Sequence, residues 1–347
     1  MRVVRLLALL ALLVTIPAVG SPRASAQASF HHGFVLTGWT RDAYLEPSSD
    51  AALQRMRTGG SDHAAIFTQW FLSDPTASAL APDPARTPSD AALMHAMHRA
   101  RQQGMEVTLK PQIGIRSGGW VGSAQPADEN AFWTGFRAML LHYADLADRG
   151  GASTLVIGTE MRTMSSDEAR WRPLIAELRT HFHGALTYAA NYDEFLSVPF
   201  WDALDYIGID AYFPLADDAQ PSPPAAELAA AWSARGYLGA IAGLSARTGK
   251  KVLFTELGYR AAHSTAVHPS AWAKADSTDT QAQSNAYQAF YDAVARQPWM
   301  AGVYWWDVNA DRWWVQDYSP IGKPAEQVLA ISNLRLMLWR ALPFLEP

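Results

Sequence analysis

The feature that most constrains the fold is a regular alternation of two hydrophobic patterns along the chain. Short apolar or β-branched runs alternate with longer amphipathic runs eight times from Phe34 onward. The predicted strands cover residues 34–39, 64–71, 106–113, 153–161, 185–192, 206–214, 251–259 and 301–308. Such alternation predicts repeated βα units with a parallel sheet, and several of the runs are nearly continuously apolar, as in strands buried on both faces. Eight units predict an α/β fold of the (β/α)₈ TIM-barrel type.

Capping residues and glycines mark the helices between these strands. Ser89 and Asp90 begin one helix that Gly104 ends, and Asp128 begins another that runs to Gly150. Further helical patterns cover residues 168–181, 225–248, 278–296 and 324–339, whereas only residues 200–203 separate the strands of the fifth unit. Because no internal repeat or linker divides the chain, we expect residues 27–347 to form a single barrel domain.

The first 26 residues have the pattern of an export signal. Arg2 and Arg5 precede an apolar stretch over residues 6–19, and Ala24-Ser25-Ala26 offers a small-residue cleavage site. A membrane anchor is the alternative, but the apolar stretch is short for a bilayer span and a polar segment follows it. We therefore expect a signal peptide over residues 1–26 and a protein secreted to the extracellular or periplasmic space. No stable membrane association is expected after cleavage.

Composition excludes several classes of function. The net charge of −5 without a basic cluster argues against nucleic-acid binding. The absence of cysteine rules out disulfides, lipidated cysteine and thiolate metal sites. The ten histidines form no metal-binding spacing, and no Gly-x-Ser-x-Gly or phosphate-loop motif is present, so we expect neither a metal nor a cofactor. The fourteen tryptophans either fill the core of a large barrel or stack on sugar rings.

The ends of the predicted strands supply the candidate functional residues. In this fold the last one or two side chains of each strand point into the C-terminal mouth of the barrel. By this rule the mouth is lined by Trp39, Gln69, Trp70, Lys110, Glu160, Asn191, Asp193, Asp210, Tyr212, Glu256, Trp305, Trp306 and Asp307. The Pro-rich stretches 74–88 and 217–224 also follow strand ends, and they either shape the cavity or are passive surface loops.

Two of these residues, Glu160 and Glu256, are glutamates that end apolar strands. A buried carboxylate without a partner is costly, so each needs either a salt bridge or a chemical role. Lys110, Arg162 and Arg260 are the candidate salt-bridge partners. Strands four and seven lie across the barrel from each other, which suits a pair of carboxylates that act on one glycosidic bond. We therefore predict that Glu160 and Glu256 are the catalytic pair of a glycoside hydrolase.

The sequence resembles glycoside hydrolase family 113, whose known members are clan A barrels that act mainly on β-mannan. The similarity extends over nearly the whole mature chain. It rests on Leu109-Lys110-Pro111, Trp120-Val121-Gly122, Tyr143-Ala144-Asp145-Leu146-Ala147, Ile157-Gly158-Thr159-Glu160-Met161, Leu186-Thr187-Tyr188-Ala189-Ala190-Asn191, Trp201-Asp202, Asp205-Tyr206-Ile207-Gly208-Ile209-Asp210-Ala211-Tyr212, Phe254-Thr255-Glu256-Leu257-Gly258-Tyr259 and Gly322-Lys323-Pro324-Ala325.

This resemblance implies a role for each candidate residue. Glu160 would be the acid/base and Glu256 the nucleophile of a retaining mechanism, with Tyr212 bonded to the nucleophile. The other substrate contacts would be Trp39, Lys110, Asn191, Asp210 and either Trp305 or Trp306 as a stacking platform. Many clan members have Asn before the acid/base, whereas this chain has Thr159, and Asn191 could supply the missing amide.

The resemblance further implies an endo-β-1,4-mannanase that acts on mannan or glucomannan. Three alternatives stay open, namely a retaining hydrolase of another β-glycan, a hydrolase of mannan chain ends, and a non-catalytic carbohydrate-binding barrel. The expected partner is a polysaccharide or oligosaccharide, and the protein is expected to be a monomer.

Overall fold

The computed structural model of the chain describes residues 30–272, 276–311 and 317–341. The proposed signal peptide lies outside the described residues. Eight strands form the central sheet, namely β1 (His31–Thr37), β2 (His63–Leu72), β3 (Glu106–Ile115), β4 (Thr154–Thr159), β5 (Ala185–Asn191), β6 (Tyr206–Asp210), β7 (Lys251–Leu257) and β8 (Met300–Asn309). Each strand pairs in parallel with the next, and β8 pairs with β1, so the sheet closes into a barrel. The predicted single-domain (β/α)₈ barrel is confirmed.

Eight α-helices in the described part of the chain surround the barrel. They are α1 (Pro47–Thr58), α2 (Asp90–Gln102), α3 (Glu129–Gly150), α4 (Glu168–His181), α5 (Ala225–Ala234), α6 (Tyr237–Thr248), α7 (Thr280–Ala293) and α8 (Pro324–Ala341). Short 3₁₀ helices cover Ala43–Leu45, Val121–Ser123 and Trp201–Ala203, and the last is the sole helix between β5 and β6, as the short fifth unit predicted. None of the helices in the described ranges is long and apolar enough to span a bilayer.

Local sequence explains most helix boundaries. The side chains of Ser89 and Asp128 accept hydrogen bonds from backbone N–H groups of the first turns of α2 and α3, which satisfies donors that a helix start leaves free. The prediction of one helix over residues 225–248 is wrong, because α5 and α6 are separate. Gly236, with φ of 78°, lies between them in the left-handed conformation that ends a helix.

Alternate residues along each strand face two different cores. Phe34 and Trp305 pack in the large layer between barrel and helices. Val35, Tyr304 and Trp306 belong to a second cluster inside the barrel. This two-residue period follows from the pleat of a strand, and it decides which side chains can reach the barrel mouth.

Candidate active site

A cavity of 570 Å³ opens at the C-terminal end of the strands. It is lined by Trp39, Phe67, Gln69, Gln112, Ile113, Gly114, Ile115, Gly119, Trp120, Val121, Thr159, Glu160, Arg162, Asn191, Tyr192, Asp193, Tyr212, Glu256, Ser270, Trp272 and Trp306. Both glutamates predicted from the strand ends therefore lie in one cavity. The Pro-rich stretches 74–88 and 217–224, which are fully described, supply none of these lining residues.

Glu160 follows β4 directly and has a left-handed backbone, with φ of 50°. Non-glycine residues adopt this conformation at a cost of about 1–3 kcal/mol, and such residues are concentrated at functional sites. Its carboxylate accepts hydrogen bonds from Trp120 Nε1 at 2.5 Å and from Asn191 Nδ2 at 3.2 Å. Both donors are neutral. Burial, with the nearby charges of Asp210 and Glu256, raises the pKa of Glu160 well above its usual range, which favours the protonated acid.

Glu256 lies in β7 and has a different set of partners. Lys110 Nζ and Gln112 Nε2 each lie 2.8 Å from its Oε1 atom. The Tyr212 hydroxyl donates to its Oε2 atom at 2.8 Å. An ammonium and two neutral donors are thus directed at one carboxylate. The salt bridge with Lys110, one of the alternatives for a strand-end glutamate, is therefore present.

Lys110 and Asp210 lie behind the cavity wall, and both side chains are 0% exposed. Their Nζ and Oδ2 atoms are 3.5 Å apart, and Thr255 donates to the other Asp210 oxygen at 2.7 Å. Burial, reinforced by Glu256, raises the pKa of Asp210 to about 8 although Lys110 opposes the shift. Burial disfavours the ammonium of Lys110, but Asp210 and Glu256 outweigh this effect and raise its pKa.

Three indole rings form an aromatic wall, defined as Trp39, Trp272 and Trp306. The Trp272 ring meets the other two edge-on, with centroids 6.3 Å from Trp39 and 5.7 Å from Trp306. Trp272 is 56% exposed, whereas Trp306 is nearly buried and its Nε1 atom has no hydrogen-bond partner in the described part of the chain. Flat aromatic faces of this kind suit the rings of a sugar.

Six of the nine residues proposed from sequence for catalysis or substrate binding line the cavity, namely Trp39, Glu160, Asn191, Tyr212, Glu256 and Trp306. Trp305 does not. It stacks on Tyr287 of α7 at a centroid distance of 4.0 Å, because consecutive strand residues point to opposite sides. Lys110 and Asp210 were predicted to contact the sugar, but both lie beneath the cavity and contact Glu256 or each other instead.

The other strand-end residues divide in the same way. Gln69 and Asp193 line the cavity. Trp70 packs near Tyr143 of α3, with ring centroids 6.3 Å apart, on the helix side of the barrel. Asp307 is buried in β8, where its Oδ2 atom accepts a hydrogen bond of 2.6 Å from Thr37.

Gln112 and Trp120 line the cavity but were not predicted from the sequence. Gln112 follows Lys110 by two residues on the inward face of β3, so it reaches the mouth while Lys110 lies one layer deeper. The period of two from Lys110 was the available signal. Trp120 lies in the loop after β3, and its indole occupies space that a side chain at residue 122 would fill, since a Cβ on Gly122 would lie 2.3 Å from the ring. The Trp120-Val121-Gly122 sequence was its signal.

The two arginines considered as partners of the glutamates are bonded elsewhere. Arg162 pairs with Asp193 at 2.8 Å on the cavity rim, and Arg260 donates to the Ala271 carbonyl oxygen at 2.9 Å. Within residues 30–272, 276–311 and 317–341, no group of three or more His, Asp or Glu side chains is arranged to hold a metal ion.

The cavity thus contains two carboxyl groups in contrasting environments. Glu160 is buried with neutral donors and is favoured as an acid, whereas Glu256 faces the ammonium of Lys110. Environments that separate two carboxyl groups in this way provide a general acid and a nucleophile or base at the same pH.

Comparison with known proteins identifies a family and similar folds. Residues 32–320 match the family described as Glycoside Hydrolase Family 113. The fold is similar to that of a GH113 β-1,4-mannanase, with a TM-score of 0.80, 23% identity, and coverage of 88% of this chain and 99% of that chain. It is also similar to the GH113 β-mannanase AaManA from Alicyclobacillus acidocaldarius in complex with ManMIm, with a TM-score of 0.81, 24% identity, and coverage of 89% and 99%.

A more distant similarity is to a GH5_18 protein from Streptomyces cattleya in complex with Manβ1-4GlcNAc, with a TM-score of 0.59 and 17% identity over 91% of this chain and 82% of that chain. No curated protein sequence matches the chain significantly. At these identities the solved structures show the barrel fold.

Proposed function

The chain belongs to glycoside hydrolase family 113, and from this membership and the cavity we propose that it is a retaining endo-β-1,4-mannanase acting on mannan or glucomannan. The observation that carries the mechanism is the contrast between Glu160, with neutral donors, and Glu256, with an ammonium, in one cavity. The substrate is supported by the similar family-113 structures, which include a β-1,4-mannanase and a β-mannanase.

In the first step, the carboxylic acid of Glu160 donates its proton to the glycosidic oxygen. The carboxylate of Glu256 attacks the anomeric carbon, and the bond to the leaving sugar breaks as an ester bond to Glu256 forms. In the second step, Glu160 is ionised and removes a proton from water. The resulting oxygen nucleophile attacks the anomeric carbon, and the ester bond to Glu256 breaks. Two inversions leave the product with its original anomeric configuration.

The neighbouring side chains suit these two steps. Tyr212 and Gln112 orient Glu256 through hydrogen bonds of 2.8 Å, while Trp120 and Asn191 orient Glu160. The aromatic wall provides stacking surfaces. The reaction needs no cofactor, because the two carboxyl groups supply both the proton and the nucleophile.

The experiment is to incubate the purified protein with mannan, glucomannan, xylan, cellulose and β-1,3-glucan and to size the products. Short manno-oligosaccharides from mannan, with xylan and cellulose left intact, are expected. Proton NMR of the first product should show the β-anomer before mutarotation. Cleavage of xylan or β-1,3-glucan without action on mannan would overturn the substrate, and an initial α-anomer would overturn the retaining mechanism.

We also propose that the protein is exported and that residues 1–26 are removed. The support is the order of three features at the N-terminus of the chain, namely basic residues, then an apolar stretch, then a small-residue cleavage site. N-terminal sequencing of protein from the source cell's culture fluid or periplasm should begin near Gln27. Full-length protein in the membrane fraction would contradict export with cleavage.

A further inference from the structure

Beneath the cavity lies a buried charged group whose members do not reach the substrate. Lys110 Nζ is 2.8 Å from Glu256 Oε1 and 3.5 Å from Asp210 Oδ2, and it donates to Thr159 Oγ1 at 3.3 Å. Lys110 and Asp210 are each 0% exposed, and neither lines the cavity. Three strands, β3, β6 and β7, supply the charges of this group.

Such an arrangement is a poor device for stability alone. Removing an ammonium and a carboxylate from water costs several kcal/mol each, and well-packed apolar side chains of similar volume often stabilise a core equally well or better. The geometry instead connects the pair to chemistry, because the ammonium lies closer to Glu256 than to Asp210. It touches the very carboxylate that must remain an anion in order to attack.

We propose that Lys110 and Asp210 are positioning residues of the hydrolysis, in which Lys110 keeps Glu256 ionised and oriented while Asp210 keeps Lys110 charged and Glu160 protonated. This inference rests on the proposed roles of Glu160 and Glu256. Asp210 acts on Lys110 through direct attraction, and its negative charge disfavours a second anion at Glu160.

The titratable groups around the pair support this division. Those facing Lys110 or Glu256 are Asp210 from β6, Glu160 after β4, Asp307 from β8, Tyr212 after β6, and Tyr318. Lys110 is the cation among them, and the carboxylates raise its pKa despite its burial. Burial raises the pKa of Glu160 and of Asp210, with Glu256 adding to both shifts. Lys110 is thus the positive charge that faces both Glu256 and Asp210, and it opposes the effect of burial on the Asp210 carboxyl group.

The test compares Lys110→Met, Asp210→Asn and the control Thr108→Val. Loss of the ammonium should shift the acidic limb of the kcat/KM profile to higher pH by about one to two units, since an opposite charge at this distance shifts a carboxyl titration by that amount. Activity at a pH below the limb should therefore fall about ten-fold for each unit. Asp210→Asn should instead shift the alkaline limb to lower pH, because it removes a negative charge near Glu160.

The control separates an electrostatic role from simple destabilisation. Thr108 is buried in the barrel, where its hydroxyl lies 2.6 Å from that of Tyr304, and it contacts neither glutamate through a hydrogen bond. Thr108→Val should lower the denaturation temperature without shifting either limb. Equal loss of activity at every pH in a folded Lys110→Met protein would overturn the proposal. Should that variant not fold, an unmoved alkaline limb in Asp210→Asn would overturn it instead.

A second measurement does not depend on turnover. In protein labelled with ¹³C at the glutamate carboxyl carbons, resonances assigned with Glu160→Gln and Glu256→Gln can be titrated directly. Lys110→Met should raise the titration midpoint of Glu256, and Asp210→Asn should lower that of Glu160. Unmoved midpoints would refute the proposal. If the wild-type protein cleaved no mannan, the proposed substrate would fail while these midpoints would still decide the role of Lys110 and Asp210.

Discussion

Replacing Trp120 with phenylalanine tests how the cavity controls the proton of Glu160. The indole Nε1 of Trp120 donates to Glu160 Oε2 at 2.5 Å, and phenylalanine retains an aromatic ring without this donor. A hydrogen bond to the carboxylate favours the ionised form, and so opposes the burial that raises the pKa of Glu160. The Trp120→Phe variant should therefore raise that pKa further.

The magnitude follows from the strength of such a bond. A hydrogen bond to a charged group contributes about 1.5–3 kcal/mol, and about 1.4 kcal/mol corresponds to one pKa unit. Complete loss would thus raise the pKa of Glu160 by about one to two units. Since Asn191 still donates at 3.2 Å and the cavity is open to water, we expect the lower end, about one unit.

The assay is the pH dependence of kcat/KM on a manno-oligosaccharide, whose alkaline limb reports the essential acid of the free enzyme. The limb should move to higher pH by about one unit, while activity near the optimum falls because Glu160 loses part of its orientation. Trp306→Phe is the matched control. It also removes an indole donor from the cavity, but that donor has no partner among the described residues. The control should change KM and leave the limb in place.

An alkaline limb that stays in place or moves to lower pH in Trp120→Phe would refute the reasoning. The same shift in both variants would show that the limb responds to cavity shape rather than to the hydrogen bond with Glu160.

Three further predictions concern roles, packing and acid stability. Glu160→Ala should still cleave aryl β-mannosides with good leaving groups and should give the β-mannosyl azide when azide is added, whereas Glu256→Ala should be inactive without azide; a β-mannosyl azide from Glu256→Ala and an α-mannosyl azide from Glu160→Ala would exchange the roles. Trp171 is fully buried, and its ring centroid lies 5.0–5.6 Å from those of four other aromatic rings. Trp171→Ala should therefore lower the free energy of unfolding, measured in urea, by roughly 3–5 kcal/mol. A loss under about 1 kcal/mol would contradict this packing. Burial lowers the pKa of His31 from 6.5 to about 3, so the unfolded chain binds the extra proton and stability falls as the pH drops below 6.5 toward 3. Between pH 7 and pH 4.5 the wild type should therefore lose roughly 2–3 kcal/mol more unfolding free energy than His31→Phe. Equal losses would show that protonation of His31 does not cause the acid destabilisation.

The sequence alone was sufficient for the architecture of the barrel. Hydrophobic periods of two and 3.6 residues are local properties of the chain, so the alternation of strands and helices predicted the fold that the structure has. The strand-end rule likewise brought Glu160 and Glu256 to one mouth, because chain direction alone decides which end of a parallel strand is its carboxyl end. The single helix expected over residues 225–248 failed because a continuing apolar pattern concealed the break at Gly236.

Tertiary structure decided the depth and the partners of the side chains. In the closed barrel Gln112 lies at the mouth with Lys110 beneath it, and Trp306 rather than Trp305 faces the interior. Lys110 and Glu256 are far apart in sequence, and their contact exists only because the closed barrel brings β3 and β7 across a shared interior. Strand stagger and closure are properties of the assembled sheet, so no local pattern in the chain specifies which carboxylate receives the ammonium.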